Sequence, residues 1–207
     1  MQIVKVKICG ITSLEDARKA MELGADLLGF NFYEKSPRYL SIKQAAEIAE
    51  QLPAYIQLAG IFVNADQDFI RQAIRSCHLE WVQLHGDEDP EFCNDLRSDS
   101  IKVIKALRVK DRADIDRARL YTTDAILLDA YHPDAYGGTG LAFDWKLIEH
   151  SPSRIFLAGG INPDNAAQAA ELGVYAIDIC SGVEASPGKK DYQKLRTLFE
   201  NIRHLRG

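Results

Sequence analysis

In KVKICG, residues 5–10, a lysine stands two positions before a cysteine at the end of a strand-like run. Thiolate is the reactive form of cysteine, and a nearby ammonium favours it, although Lys7 could equally pair with a carboxylate such as Asp178. Other apolar runs also finish on polar groups: Gln83 and His85 in WVQLH, Asp129 in AILLDA, Asp178 and Cys180 in YAIDIC. Side chains of these types carry protons or hold a polar ligand once they are buried together. For any single one, such as His85, a satisfied structural polar group is the plain alternative. Two stretches, LAGGIN at 157–162 and CSGVE at 180–184, are glycine-rich. Glycine lets the main chain approach an anion closely, so Gly159, Gly160, Ser181 and Gly182 could offer N–H groups to a phosphate, against the alternative of two tight turns. Arg38 follows Ser36 and Pro37 and offers a fork that matches a carboxylate bidentately, where a solvated loop arginine would read the same. YGGTG, at 136–140 and centred on Gly138, reads as a loop closing over a substrate or as a connector.

These residues act together only if the fold collects them. Eight runs rich in Val, Ile, Leu and Phe recur along the chain, at 3–8, 27–32, 58–63, 81–85, 102–107, 125–130, 154–159 and 175–180. The segments between them show 3.6-residue periodicity with helix start and stop signals. Ser13 with Asp16 resembles a capping box, and that helix stops at Gly24. Ser41 opens a helix that Pro53 stops, Asn162 and Pro163 open one that Gly173 stops, and a last helix covers 191–205. Eight strands alternating with helices predict an α/β chain folded as a single (β/α)8 TIM barrel of the phosphosugar-binding type over residues 1–207. An open doubly wound sheet is the competitor. The first strand–helix turn, CGITS, lacks the G-x-G-x-x-G of the dinucleotide-binding version.

Strand parity then sorts the faces. Val4, Val6 and Ile8 point outward under the helices, and Lys5, Lys7 and Cys9 point into the barrel. By the same count Gln83, His85, Leu127, Asp129, Asp178 and Cys180 point inward; Lys105 in the fifth run is grouped with them on a weaker pattern. Unpaired charges in an apolar lumen are costly, and these groups fall late in their strands, at the end where barrel enzymes keep their chemistry. The reading is an active-site mouth.

Composition narrows the class. The chain has 207 residues, 46% hydrophobic and 27% charged, with a formal charge of −5. No basic block suits a nucleic-acid partner, and no apolar run is long enough for a membrane span. Without a signal-peptide pattern, a cytoplasmic protein is expected. Cys9, Cys77, Cys93 and Cys180 lack metal-ligand or disulfide-framework spacing, and small buried hydrophobes are the default for each.

KICGIT, the SPR of KSPRYL, QLHGDE, LLDA, GGTGLAFDW, LAGGINPDN and DICSGVEASPGKKD together, in this order, closely resemble the phosphoribosylanthranilate isomerases of tryptophan biosynthesis. The likeness runs from the first strand to the last helix. It implies an Amadori rearrangement of N-(5-phosphoribosyl)anthranilate to the 1-deoxyribulose 5-phosphate product, with a small phosphorylated substrate and no metal or organic cofactor. It also implies that Cys9 is the general base, Asp129 the general acid, Arg38 the partner of the anthranilate carboxylate, and the two glycine loops the phosphate site. His85 and Asp178 are substrate-binding candidates at the mouth, with Lys7 and Gly138 in support. One departure is visible: the family commonly reads Ser-Ser-Gly where this chain has Cys180-Ser181-Gly182, which sets a second thiol beside the first in a closed barrel and offers a pair that oxidation could join. Two rival readings are another phosphosugar barrel of histidine or tryptophan synthesis and a non-catalytic barrel that binds a phosphorylated metabolite. A monomer is expected by default, with a homodimer as the alternative.

The implied chemistry makes opposite demands on its two groups. An acid must protonate the ring oxygen as the furanose opens, and a base must then remove the C2 proton. An ordinary Asp, at about 3.9, acts as an acid near neutrality only if burial or substrate charge raises it. A free thiol at about 8.5 needs at most about 2 kcal/mol of assistance for full ionisation.

Overall fold

The computed structural model describes residues 3–98, 100–130, 143–148 and 154–206. Within these, β1 (Lys5–Cys9), β2 (Leu27–Asn31), β3 (Gln57–Phe62), β4 (Trp81–Leu84), β5 (Lys102–Val109), β6 (Ala125–Ala130), β7 (Ile155–Leu157) and β8 (Ala176–Ile179) form a closed parallel barrel in sequence order. Closure is made where Lys7 lies opposite Asp178 on β8 and Cys9 opposite Gly29 on β2. The helices α1 (Leu14–Leu23), α2 (Ile42–Ala49), α3 (Gln67–Cys77), α4 (Pro90–Asp95), α5 (Arg112–Asp116), α6 (Ala166–Glu171) and α7 (Tyr192–Asn201) alternate with the strands. Between β6 and β7 the described residues hold a 3-10 turn, Trp145–Ile148. Among the described residues, no helix is long and apolar enough to cross a membrane.

Parity sorts the core as the sequence predicts. Val4, Val6, Ile8, Leu28, Ile126, Leu128 and Ile177 join the cluster between sheet and helices. Leu27, Ala59, Trp81, Ile104, Leu127 and Phe156 fill the lumen. At the amino-end floor the rings of Trp81, Phe156 and Tyr175 pack at 5.4–5.5 Å between centroids, with Lys102 5.1 Å over Trp81 and Arg154 4.6 Å over Tyr175. This end is a sealed apolar plug with cations outside it. The polar inward residues are left to the opposite end.

Three details depart from the sequence reading. Lys105 faces outward, because its neighbours Ile104 and Ala106 belong to the lumen layer; a one-residue error in parity reverses the face. It is nonetheless buried, and its Nζ donates to Gly86 O at 2.8 Å and Glu88 Oε2 at 2.7 Å, so it pins the loop that follows His85. The Ser13 box is only half made: Ser13 accepts from Asp16 N at 3.1 Å, but the Asp16 carboxylate accepts from Lys190 N at 3.1 Å instead. Helix α6 starts later than Asn162–Pro163, because Asn162 Oδ1 accepts from Asp164 N and Asn165 Oδ1 from Asn162 N, side-chain bonds that compete with helical ones. By contrast, Ser41 and Gln44 complete a reciprocal capping box, and α1 ends at Gly24 with a left-handed φ of 114°.

After β8 the chain adds a feature the sequence reading did not contain. A two-stranded antiparallel hairpin, β9 (Glu184–Ser186) and β10 (Lys189–Lys190), turns at Pro187–Gly188 and straps back across the end of β1. Thr12 Oγ1 donates to the Gly188 carbonyl, and the buried Lys190 Nζ donates to Cys9 O at 2.6 Å.

Candidate active site

Cys9 closes β1 at the carboxyl end of the barrel. A Cβ on Gly29 would lie 3.0 Å from its sulfur, so the glycine on β2 leaves the thiol its space. Gly10 turns the chain with φ 72°, and a Cβ there would meet Arg38 Cδ at 2.6 Å and Cys180 Sγ at 3.0 Å. The Cys-Gly pair therefore does two jobs: it ends the strand on a thiol and lets an arginine and a second thiol crowd against the turn.

Cys9 and Cys180 are both free thiols that shift one another's titration, and Cys180 Sγ also lies 3.9 Å from Glu184 Oε1. Cys180 and the charges of Lys7 and Lys190 outweigh burial and hold Cys9 well below the ordinary thiol value of 9.0. Cys180, raised by Cys9 and by desolvation, moves the other way. A buried thiol flanked by two lysines is drawn toward its ionised form, which can accept a proton.

Lys7 is fully buried, and it does both things its sequence position left open, favouring the Cys9 thiolate and pairing with Asp178. Its Nζ donates to Asp178 Oδ1 at 2.9 Å and Oδ2 at 3.0 Å and to Gln83 Oε1 at 2.8 Å. Burial works to lower its pKa, but Asp178 and Cys9 raise it, so the ammonium persists. Desolvation pushes the Asp178 carboxyl up to about 7 against the pull of Lys7. Asp178 is thus paired with Lys7 through both of its oxygens.

Asp129 is buried at the end of β6. Its Oδ1 accepts from Ala130 N at 2.9 Å, and its Oδ2 lies 3.4 Å from His85 Nε2. That last contact falls short of a hydrogen bond, and Nε2 is buried with no hydrogen-bond partner among the described residues. His85 Nδ1 is 3.0 Å from Gln83 Nε2.

Arg38 is not the free fork of the sequence reading. Its Nε and Nη2 donate to Glu184 Oε1 and Oε2 at 2.8 and 2.7 Å in a buried bidentate pair, and Nη1 stands outside that fork. Burial alone would raise the Glu184 carboxyl, but the Arg38 hydrogen bonds and the charge of Lys190 bring it below its ordinary value. Lys190 Nζ donates to Glu184 Oε1 at 3.0 Å, so the hairpin supplies both groups that lock Arg38 beside the thiols. Sequence reasoning missed Glu184, Lys190 and Gly29. The Pro-Gly turn between two short extended stretches was the available signal for the first two.

The glycine loops meet as a cradle. Gly159 and Gly160 adopt φ 82° and 67°, conformations that glycine reaches without strain. A Cβ on Gly159 would fall 2.7 Å from Ala130 N and 3.1 Å from Asp129 Oδ1, so this loop touches the carboxyl directly. A Cβ on Gly182 would collide with the Ile161 carbonyl, so the loops after β7 and β8 pack against each other. The N–H groups of Gly159, Gly160, Ser181 and Gly182 donate to no other described residue. Ser181 and Gly182 open a short 3-10 turn, Ser181–Val183, that follows β8, so their N–H groups lie at its amino end. Gly138 lies outside the described residues.

The family model described as N-(5'phosphoribosyl)anthranilate (PRA) isomerase matches residues 6–201. The N-(5'-phosphoribosyl)anthranilate isomerase of Geobacter sulfurreducens is 49% identical over 208 residues, covering 99% of this chain and 100% of that one. A crystal structure of the phosphoribosyl anthranilate isomerase from Thermus thermophilus superposes with a TM-score of 0.90 at 36% identity, over 98% of this chain and 100% of that one. A second such isomerase, in complex with reduced 1-(o-carboxyphenylamino)-1-deoxyribulose 5-phosphate, superposes at 0.85 with 39% identity, over 97% and 99% of the two chains.

Proposed function

Because the chain belongs to the N-(5'-phosphoribosyl)anthranilate isomerase family, we propose that Cys9 is the general base and Asp129 the general acid of that family's reaction here. The protein is an isomerase of tryptophan biosynthesis that rearranges the phosphoribosyl aminoaldose into its 1-deoxyribulose 5-phosphate ketose. The observation that supports the role assignment is the pairing at the mouth of one buried thiol, favoured toward ionisation by its neighbours, with one buried carboxyl beside the Gly159 loop. Phosphate held by the N–H groups of Gly159, Gly160, Ser181 and Gly182 would bring the furanose ring oxygen to Asp129. Proton donation to that oxygen opens the ring and leaves an iminium, which acidifies C2; Cys9 then takes the C2 proton. Proton transfers suffice throughout, and the proposal calls on no cofactor. The chain is taken to work in the cytoplasm as a single-domain monomer, with a homodimer as the alternative assembly. The direct test is loss of anthranilate fluorescence when freshly made phosphoribosylanthranilate meets the purified protein. Phosphate binding without turnover would reject an enzyme in favour of a sensor.

Arg38 is assigned to the substrate carboxylate through the guanidinium edge that Glu184 does not occupy. Arg38→Ala would also take the bidentate partner from the buried Glu184, which keeps only Lys190 as a charged partner. Arg38→Lys keeps the charge and loses the planar fork. It is expected to raise KM by about 10- to 100-fold, the equivalent of roughly 1.5–3 kcal/mol for a charged hydrogen bond. An unchanged KM would remove Arg38 from the binding site.

The thiol pair has a signature in pH. The base works ionised, so turnover falls as pH drops through the Cys9 value. Because Cys180 is the chief cause that depresses that value, the acid limb of kcat/KM is expected well below 9.0 in the native enzyme. Cys180→Ala deletes that thiol and is expected to move this limb to higher pH, measured by rate profiles on both proteins. A limb that stays put would show that Cys180 does not tune the base.

A further inference from the structure

The mechanism above leaves one buried network unexplained. Asp178 on β8, Lys7 on β1, Gln83 and His85 at the end of β4, and Asp129 on β6 form a connected row across the barrel mouth. Lysine can only donate, so the Gln83 atom 2.8 Å from Lys7 Nζ must be the amide oxygen. The amide nitrogen is thereby turned toward His85, 3.0 Å from Nδ1. An amide nitrogen can also only donate, so Nδ1 must accept, and the imidazole proton sits on Nε2. Nε2 is the atom that lies 3.4 Å from Asp129 Oδ2, buried and without a hydrogen-bond partner among the described residues. Every orientation in the row follows from the first donor, and Lys7 is itself fixed by both oxygens of Asp178.

We propose that Gln83 is a positioning residue for the isomerase reaction: it locks His85 as the Nε2–H tautomer, so that an N–H faces the Asp129 oxygen that acquires charge when the acid gives up its proton. The inference rests on the reading of Asp129 as the acid. An acid must start with its proton in place, and against that form the long contact is weak. As the proton passes to the ring oxygen, negative charge grows on the carboxylate, with Ala130 N–H on Oδ1 and His85 Nε2–H on Oδ2 as its two donors. Contacts of this kind are often loose in a free enzyme and tighten during the reaction. A donor that is weak against the neutral acid and strong against the carboxylate lowers the barrier rather than the ground state. The opposite tautomer would aim a lone pair at the same developing charge.

The test combines a tautomer readout with kinetics. The chain has 5 histidines, so 15N-histidine labelling with His85→Asn to assign the signal is tractable. The native protein is expected to show His85 protonated at Nε2 and bare at Nδ1; a proton on Nδ1 overturns the proposal with no mutation needed. Gln83→Glu replaces the donor with a group that only accepts, so Nδ1 must become protonated, and kcat is expected to drop by about 10- to 100-fold with KM nearly unchanged. Gln83→Met, similar in shape and without charge, serves if the added carboxylate prevents folding; it should give a mixture of tautomers and an intermediate kcat. An unaltered His85 spectrum or native kcat in whichever variant folds overturns the positioning role. The outcome is separable from that of the acid assignment: a native kcat in an Asp129 variant removes the acid while leaving the tautomer measurement standing, and a dead Asp129 variant alongside a native Gln83→Glu enzyme removes only Gln83.

Discussion

Cys9→Ala is expected to lower kcat on the order of 10²–10⁴-fold while KM moves little. That span is what a positioned acid or base contributes, and a group that acts only in the transition state alters kcat rather than binding. The structure makes the variant informative, because Lys7 retains Asp178 and Gln83 as partners and Lys190 retains Glu184 when the sulfur is gone. No buried ammonium is stranded, so thermal melting should stay close to native and lost turnover can be read as lost chemistry. Cys9→Ser is the sharper companion, since the hydroxyl occupies nearly the same space but does not ionise at working pH. Steady-state kinetics showing near-native kcat in either variant would remove Cys9 as the base.

Asp129→Asn should be as damaging, with a kcat loss on the order of 10²–10⁴-fold. The amide oxygen can still accept from Ala130 N–H, as Oδ1 does at 2.9 Å, so the local backbone keeps its hydrogen bond. What the amide lacks is a proton to give to the ring oxygen. Substrate affinity should survive, because the phosphate cradle and Arg38 are unchanged. If Asp129→Asn turned over at a native rate, ring opening would have to draw its proton from elsewhere, and the order of events proposed above would fail.

Both experiments concern residues that parity alone had turned inward, which indicates how far local pattern reaches. Two-residue alternation placed Lys7, Cys9, Gln83, His85, Asp129 and Asp178 on the lumen side, and each is there. It failed at Lys105, where a polar residue among apolar neighbours was taken for an inward one; the lumen layer of Ile104 and Ala106 shows it to be one position out of phase. Polarity is a weaker guide than period, because a buried outward lysine is tolerated when a partner such as Glu88 waits under the helices. Glycine gave a mixed return. Gly159 and Gly160 do adopt the positive φ that suits glycine, whereas Gly29 looked like any strand glycine until the Cys9 sulfur was seen 3.0 Å from where its side chain would begin.

What the amino-acid order determined by itself is the barrel, the caps that open α1 and α2 and the glycine that ends α1, the inward set and the family, because periodicity, caps and turn chemistry are properties of neighbours in the chain. What only the tertiary structure decided is who meets whom. Lys7 and Asp178 are 171 positions apart, and Arg38 and Glu184 are 146 apart. Their meeting follows from ring closure and strand register, which no local window contains. The hairpin that brings Glu184 and Lys190 over β1, the fork that Arg38 keeps for Glu184, and the proton that Gln83 fixes on His85 all belong to that second class. A side chain's partners are set by the geometry of the closed sheet, and its protonation is set by those partners.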